Sequence, residues 1–193
     1  MNAPASAKRF SLPSIGLHWA TLLLLAAVYV LIELHGMYPK GSEMRETLKI
    51  WHFMLGLTVP GLVLARLLLR QLYPAPDIVP APPAWQQGLA GAMHVTLYAF
   101  LVVMPLLGWL ALSAKGRPIP LFGLELPALL PPDKALGKSL EKIHETIGIA
   151  GYWLIGLHAA AALFHHYFMR DNTLRLMLPW LGEHGKRRGT AAS

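Results

Sequence analysis

Metal ligation by imidazole is the chemistry for which this 193-residue chain is best equipped, since it has nine histidines and no cysteine. Without thiols it has no disulfide framework, thiolate-held iron–sulfur cluster or cysteine nucleophile. Four histidines stand out by their setting: His18, His52, His144 and His158 each lie within or beside a long apolar run. His144 and His158 are 14 residues apart. On an α-helix that interval is a rise of about 21 Å and a rotation within about 40° of whole turns. The two rings therefore share one helix face at two depths. The same interval separates His52 from Arg66.

The elements that must carry these residues are membrane spans. The chain is 54% hydrophobic and 14% charged, with a mean hydropathy of +0.44, where a soluble domain has about 25% charged residues. This excludes a disordered chain and argues against an ordinary soluble enzyme. The length suits one domain. The apolar runs are Ile15 to Leu34, Ile50 to Leu69, Leu89 to Leu112 and Thr146 to Phe168, the last helix starting near Ser139. Each can cross roughly 30 Å of hydrocarbon. The first is too long for a signal-peptide core and no small-residue cleavage site follows it, so it is read as retained. Between the runs lie a short polar loop (Gly36 to Glu46), the proline-rich Tyr73 to Pro83, and a long Pro- and Gly-containing loop, Lys115 to Lys138. Pro60 and Pro105 fall inside spans, where neighbouring helices can satisfy the freed carbonyls. No internal repeat is present.

The expected fold is all-α, an integral-membrane four-helix bundle of up-down topology. Residues 1–12 are expected to be a cytoplasmic N-terminal segment, 13–180 the transmembrane domain, and 181–193 a basic, disordered tail. Lys and Arg are nearly balanced between the two sides. Lys8 and Arg9 before the first span and Glu33 near its far end place both termini in the cytoplasm by the positive-inside rule. The net charge of +7 is assigned to lipid headgroups and topology, with no nucleic-acid partner.

That topology pairs the histidines by level. His52 and His144 lie near the outer surface, and His18 and His158 near the inner one. Two stacked pairs on facing helices are what two bis-histidine haems need, each iron taking one imidazole from either side. Gly56, Gly148 and Ala159 to Ala162 provide clearance beside the ligands. Arg66, on the His52 face at the inner level, fits a propionate of the inner haem, because a buried guanidinium needs an anionic partner. Lys49 fits the outer haem in the same way. A single intramembrane histidine is as readily a helix–helix hydrogen-bond donor as a ligand, but four at two matched levels favour haem. Zinc needs three or four ligands converging on one point, and these pairs lie about 21 Å apart.

The other histidines are less specific. His94 is level with His18 and suits a spare ligand, a quinone-site donor or a packing residue. His165 and His166 fall at the inner boundary of the last span and read as interfacial. His35 and His184 read as solvated loop residues. Trp19, Tyr38, Trp51, Tyr73, Trp85, Trp109 and Trp180 form an interfacial belt.

The motifs GLHW around His18, WHFMLG around His52, ARLLLR followed by YPAP, and KIHETIGIAGYWLIGLHAAAALFHHYFMRDNTL resemble the bacterial cytochrome b561 family, across roughly residues 10–180. The resemblance implies a multi-pass protein of the bacterial inner membrane holding two haem b groups, with ligands at His18, His52, His144 and His158. Similar helices occur in the cytochrome b subunits of membrane formate dehydrogenases and hydrogenases. Within that family it is similar to superoxide oxidases. They imply that superoxide gives electrons to the outer haem, and that the inner haem passes them to ubiquinone.

A cationic mouth would raise the encounter rate with a small anion such as superoxide. Arg45, Lys49, Lys138 and Lys142 lie within about two helical turns of His52 or His144, and Lys115 and Arg117 can reach from the loop. Glu46, Glu141 and Glu145 dilute that field, and each cation is equally an ordinary snorkelling residue. His94, His165 and Trp19 are candidates for the quinone site. The expected function is superoxide:ubiquinone oxidoreductase. The alternative is an electron-transfer subunit for a dehydrogenase or hydrogenase partner protein. A weaker alternative is a non-haem carrier of metal ions or small molecules.

Overall fold

A computed structural model of the chain describes residues 9–178. Lys8, Trp180, His184 and the basic tail with Lys186, Arg187 and Arg188 lie outside the described residues. Among the described residues, four helices are long and apolar enough to cross a membrane: α1 (Leu12–Gly36), α2 (Glu43–Leu72), α3 (Ala84–Ala114) and α4 (Lys134–Phe164). The last continues as a π-helical turn, His165–Met169, and a short α5 (Thr173–Met177) follows.

Local chemistry sets the helix starts. Ser11 accepts from the Ser14 amide at 3.3 Å, and Ser42 from the Arg45 amide at 3.4 Å. Asp133 accepts from Ala135 and Leu136 at 2.9 and 3.0 Å. These side chains satisfy amides that a helix N-terminus leaves without partners. The Asp133 cap is why α4 begins at Lys134, well over a turn before the expected Ser139. Gly137 lets that first turn lie on the end of α3, since a Cβ there would sit 3.1 Å from the Lys115 backbone nitrogen.

The loop after α3 is more ordered than its prolines suggest. It contains an antiparallel hairpin, β1 (Ile119–Leu121) and β2 (Leu124–Leu126). Phe122 and Gly123 turn it with φ of 47° and 86°, the paired positive angles of a tight hairpin turn. The Phe122 amide rests on the Met54 sulfur at 3.4 Å, and its ring meets Trp51 edge-on. The hairpin thereby covers one end of α2.

The helices pack as two hairpins, α1 on α2 and α3 on α4, joined by α2 against α3. The shared core is small and centres on Val59, Val63, Phe100 and Leu101, with Leu24 and Tyr29 against it. Large apolar side chains point outward instead, including Leu64, Leu157, Phe168 and Trp153, which is 78% exposed. An apolar exterior of this extent suits lipid rather than water. The Trp19 indole donates to the Met177 carbonyl at 2.9 Å, so the start of α1 and the chain beyond α4 meet at one end of the bundle, here termed inner. The hairpin and the α1–α2 connection lie at the outer end.

Candidate functional site

Each hairpin of helices contributes one ring to each histidine pair. At the outer level, His52 of α2 and His144 of α4 have ring centroids 6.2 Å apart and planes at 83°. At the inner level, His18 of α1 and His158 of α4 are 6.4 Å apart and inclined at 55°. Two imidazole nitrogens bonded to one metal at about 2.0–2.1 Å each hold their ring centroids roughly 6 Å apart. One unbroken helix, α4, carries His144 and His158 on the same side, as their spacing requires.

The outer pair faces a cavity of about 480 Å³, within the ~300–1,000 Å³ common for bound small molecules. Val28, Tyr29, Gly56, Phe100, Met104 and Gly148 are part of its wall. A Cβ on Gly56 would meet nothing within 4 Å, and one on Gly108 would lie 3.4 Å from the His144 ring. His52 Nδ1 is 2.9 Å from the Val28 carbonyl. With Nδ1–H donating there, Nε2 is the nitrogen left for a ligand. His144 Nδ1 is buried and has no hydrogen-bond partner among the described residues. These features fit a flat metal-containing group held between α2 and α4. Among the described residues, no three metal-ligating side chains converge into a cage made by protein alone.

At the inner level Arg66 points into the bundle. Its Nη2 lies 3.1 Å from His18 Nδ1, and its guanidinium carbon 5.8 Å from the Tyr98 ring centroid. Arg66 is therefore level with His18, as the 14-residue interval from His52 requires. His94 stands beside the pair, its ring centroid 5.6 Å from that of His158. His165 bonds Asp171, and Trp19 is committed through its N–H to Met177.

The cations of the outer end divide into two groups. Lys49, Lys115 and Arg117 line the outer cavity, together with Glu33, Glu141 and Glu145. Lys49 pairs with Glu46 at 3.1 Å, Arg117 approaches Glu46 at 3.9 Å, and Lys115 pairs with Glu141. Arg45, Lys138 and Lys142 are not among the lining residues. Arg45 donates to the His35 and Tyr38 carbonyls at 3.1 and 2.7 Å, closing the end of α1. Lys142 lies 3.7 Å from Glu145. His35, expected in a solvated loop, sits in the last turn of α1 and lines the cavity. The reason is that α1 runs to Gly36, two residues past the end of its apolar run. Tyr29, Tyr152 and Glu33 also belong to this wall; Tyr152 donates to Glu33 at 2.7 Å. Their sequence signal was the placement of Glu33 and two tyrosines within apolar spans.

The family model described as prokaryotic cytochrome b561 matches residues 9–180. "Cytochrome b561 homolog 1" of Escherichia coli (strain K12) is 41% identical over 171 residues, covering 89% of this chain and 97% of the relative. "Probable superoxide oxidase CybB" of Yersinia pestis is 36% identical over 172 residues, with the same coverage of each. "Cytochrome b561 homolog 2" of Escherichia coli (strain K12) is 28% identical over 179 residues, covering 89% of this chain and 92% of the relative.

Proposed function

The chain belongs to the prokaryotic cytochrome b561 family of haem-b-binding membrane electron-transfer proteins, and from that premise we propose that it is a superoxide:ubiquinone oxidoreductase of the bacterial inner membrane. In this reading residues 13–180 form one domain with both termini cytoplasmic. His52 and His144 ligate a periplasmic-side haem b, and His18 and His158 a cytoplasmic-side one. The observation that carries the reading is the pair of histidine pairs at 6.2 and 6.4 Å on facing helices. The relative named as a superoxide oxidase supports the choice of electron donor.

Bound haem supplies one-electron chemistry at iron, and the protein positions and tunes it. Val28 fixes the His52 tautomer and ring orientation through its carbonyl. Ligation by His18 through Nε2 needs Nδ1 protonated, and a protonated Nδ1 repels the Arg66 donor now 3.1 Å away. With haem bound, Arg66 would turn from His18 to a propionate, the anionic partner that a half-buried guanidinium needs. Lys49 has the corresponding role at the outer haem, in exchange for Glu46. Lys49, Lys115 and Arg117 draw superoxide to the cavity, against Glu33, Glu141 and Glu145. At the inner end, His94, His165 and Trp19 border the quinone. Trp19 serves there by its ring face, because its N–H is held by Met177.

A second reading, the electron-transfer subunit, draws on the hairpin at the outer end, where Phe122 and Leu124 are exposed and offer a surface to a partner protein. One comparison separates the two. The purified protein should contain two haems per chain by its reduced-minus-oxidised spectrum. With ubiquinone present, stopped-flow mixing with superoxide should reduce those haems rapidly without a partner. Slow, salt-insensitive reduction by superoxide alongside fast reduction by a membrane dehydrogenase would favour the subunit reading.

A further inference from the structure

Seven residues beyond His158 the last span ends in a structure more elaborate than a helix terminus requires. After the π turn, Arg170 takes a left-handed conformation, φ 56°, and reverses the chain. This returns Asp171 onto His165. Asp171 Oδ2 accepts from His165 Nδ1 at 2.5 Å, while Oδ1 accepts from the Thr173 amide at 2.9 Å. The Asp171 amide in turn donates to the His165 carbonyl at 3.2 Å. Asp171 is only 2% exposed, whereas the His165 side chain keeps 19% of its surface accessible.

The turn is held rigidly. Asn172 donates its amide to the Val79 carbonyl at 3.1 Å and accepts from the Val79 amide at 2.8 Å through its side chain. On the other side, Trp19 joins Met177 to α1 and meets the His18 ring edge-on at 5.4 Å. The pair therefore sits in an anchored frame at the same end as His18 and His158.

Burying a carboxylate is costly unless it is paired and hydrogen-bonded. Burial alone would push the Asp171 carboxyl up, but the His165 ring and the Thr173 amide outweigh it and hold it below the usual carboxylate range. Asp171 is thus an anion at neutral pH. A buried anion fixed on Nδ1 orients the ring, selects the Nδ1–H tautomer and leaves Nε2 as the nitrogen that can exchange a proton.

We propose that His165 and Asp171 form a proton-relay pair at the inner end, His165 delivering protons to the quinone oxygens and Asp171 positioning it. This rests on the assignment of ubiquinone to the inner haem. The balance is complete within that reaction. Two superoxide anions each lose one electron and leave as oxygen, and the two electrons reach one quinone. Two protons follow from water at the inner face. Each passes as the Nε2 proton of a His165 imidazolium, which becomes the neutral Nδ1–H form held by Asp171 and is then reprotonated. His166, Tyr167, Arg170 and Arg175 are the other charged or titratable side chains on the turn and α5, and among the described residues none is hydrogen-bonded to this pair.

The test uses haem-loaded protein reduced chemically and mixed with short-chain ubiquinone, with haem reoxidation followed by stopped flow. Asp171→Asn and His165→Ala should slow reoxidation by about a hundredfold, the low side of the effect of a lost general acid, with haem content and spectrum unchanged. Added imidazole should restore much of the rate in His165→Ala and none in Asp171→Asn. Independently of turnover, the ring nitrogens of ¹⁵N-labelled His165 should report one Nδ1–H tautomer in the wild type and a mixture in Asp171→Asn. Reoxidation of His165→Ala at the wild-type rate would overturn the relay. So would a slowed His165→Ala that imidazole leaves slow and that melts at lower temperature, since the pair would then be a staple for the turn. If wild-type protein is itself not reoxidised by ubiquinone, the functional reading falls, and the relay with it.

Discussion

The Tyr29 side chain lies against Gly151 of α4 at a point where no Cβ can be placed. Its hydroxyl donates to the Gly148 carbonyl at 2.8 Å, and a Cβ on Gly151 would overlap both that hydroxyl and the Phe100 ring. This contact ties α1 to α4 halfway between the two histidine levels. It sets the separation of the helices that carry His18 and His158. Gly151→Val should force them apart, costing about 1–3 kcal/mol by overpacking, and should weaken retention of the inner haem. Tyr29→Phe keeps the ring and removes one hydrogen bond, so its cost should be about 1 kcal/mol. Thermal unfolding in detergent with haem absorbance as the probe should rank the two in that order.

The proposed ligand pairs predict losses by level. His52→Ala or His144→Ala should remove the outer haem and leave the inner one low-spin. His18→Ala or His158→Ala should do the reverse. His94 is the informative control, because its ring is closer to His158 than the His18 ring is. His94→Ala should keep two low-spin haems. Loss of the inner haem in His94→Ala, with its survival in His18→Ala, would reassign the inner ligand to α3.

Much of this arrangement was legible in the sequence because helical periodicity fixes both depth and face. The 14-residue interval in α4 and its counterpart from His52 to Arg66 required no knowledge of loops. Features that depend on how the chain turns between helices were not legible. Arg45 closes the end of α1 only because residues 37–42 carry its helix back beside Tyr38. The hairpin at 119–126 was hidden by Pro118 and Pro120, which argue against a strand. Only the Phe122–Gly123 pair signalled its turn. The bond between His165 and Asp171 follows from a π turn and a left-handed Arg170, neither of which hydrophobic patterning specifies.

Arg66 should act on the inner haem alone. Its guanidinium lies at the His18 level, and on the proposed assignment Leu in its place would leave a propionate without a cation in a medium of low dielectric. Arg66→Leu should lower inner-haem occupancy and shift the reduction potential of what remains, with the outer haem unchanged in a potentiometric titration followed optically. Arg66→Lys should fall between the wild type and Leu, since it keeps the charge but not the planar two-pronged donor. An outer-haem shift as large as the inner one would argue that Arg66 supports the bundle as a whole.

The last prediction separates steering from structure among the outer cations. Lys49, Lys115 and Arg117 line the cavity, while Arg45 is committed to the His35 and Tyr38 carbonyls. If the lining charges draw superoxide in, its reduction of haem should slow as salt rises, because the Debye length falls from about 30 Å at 0.01 M to about 10 Å at 0.1 M. Lys115→Glu should slow that reaction further and flatten its salt dependence, since it also leaves Glu141 facing a like charge. Glu141→Gln should have the opposite effect by releasing Lys115. Neither change should alter reduction by a neutral chemical reductant. Arg45→Ala should leave the salt dependence intact and instead lower stability, because two carbonyls at the end of α1 lose their donor, a cost of about 0.5–1.5 kcal/mol. Stopped-flow rates at two ionic strengths for the wild type and these three variants test the scheme. Equal salt slopes in all four would mean that the mouth does not steer its substrate.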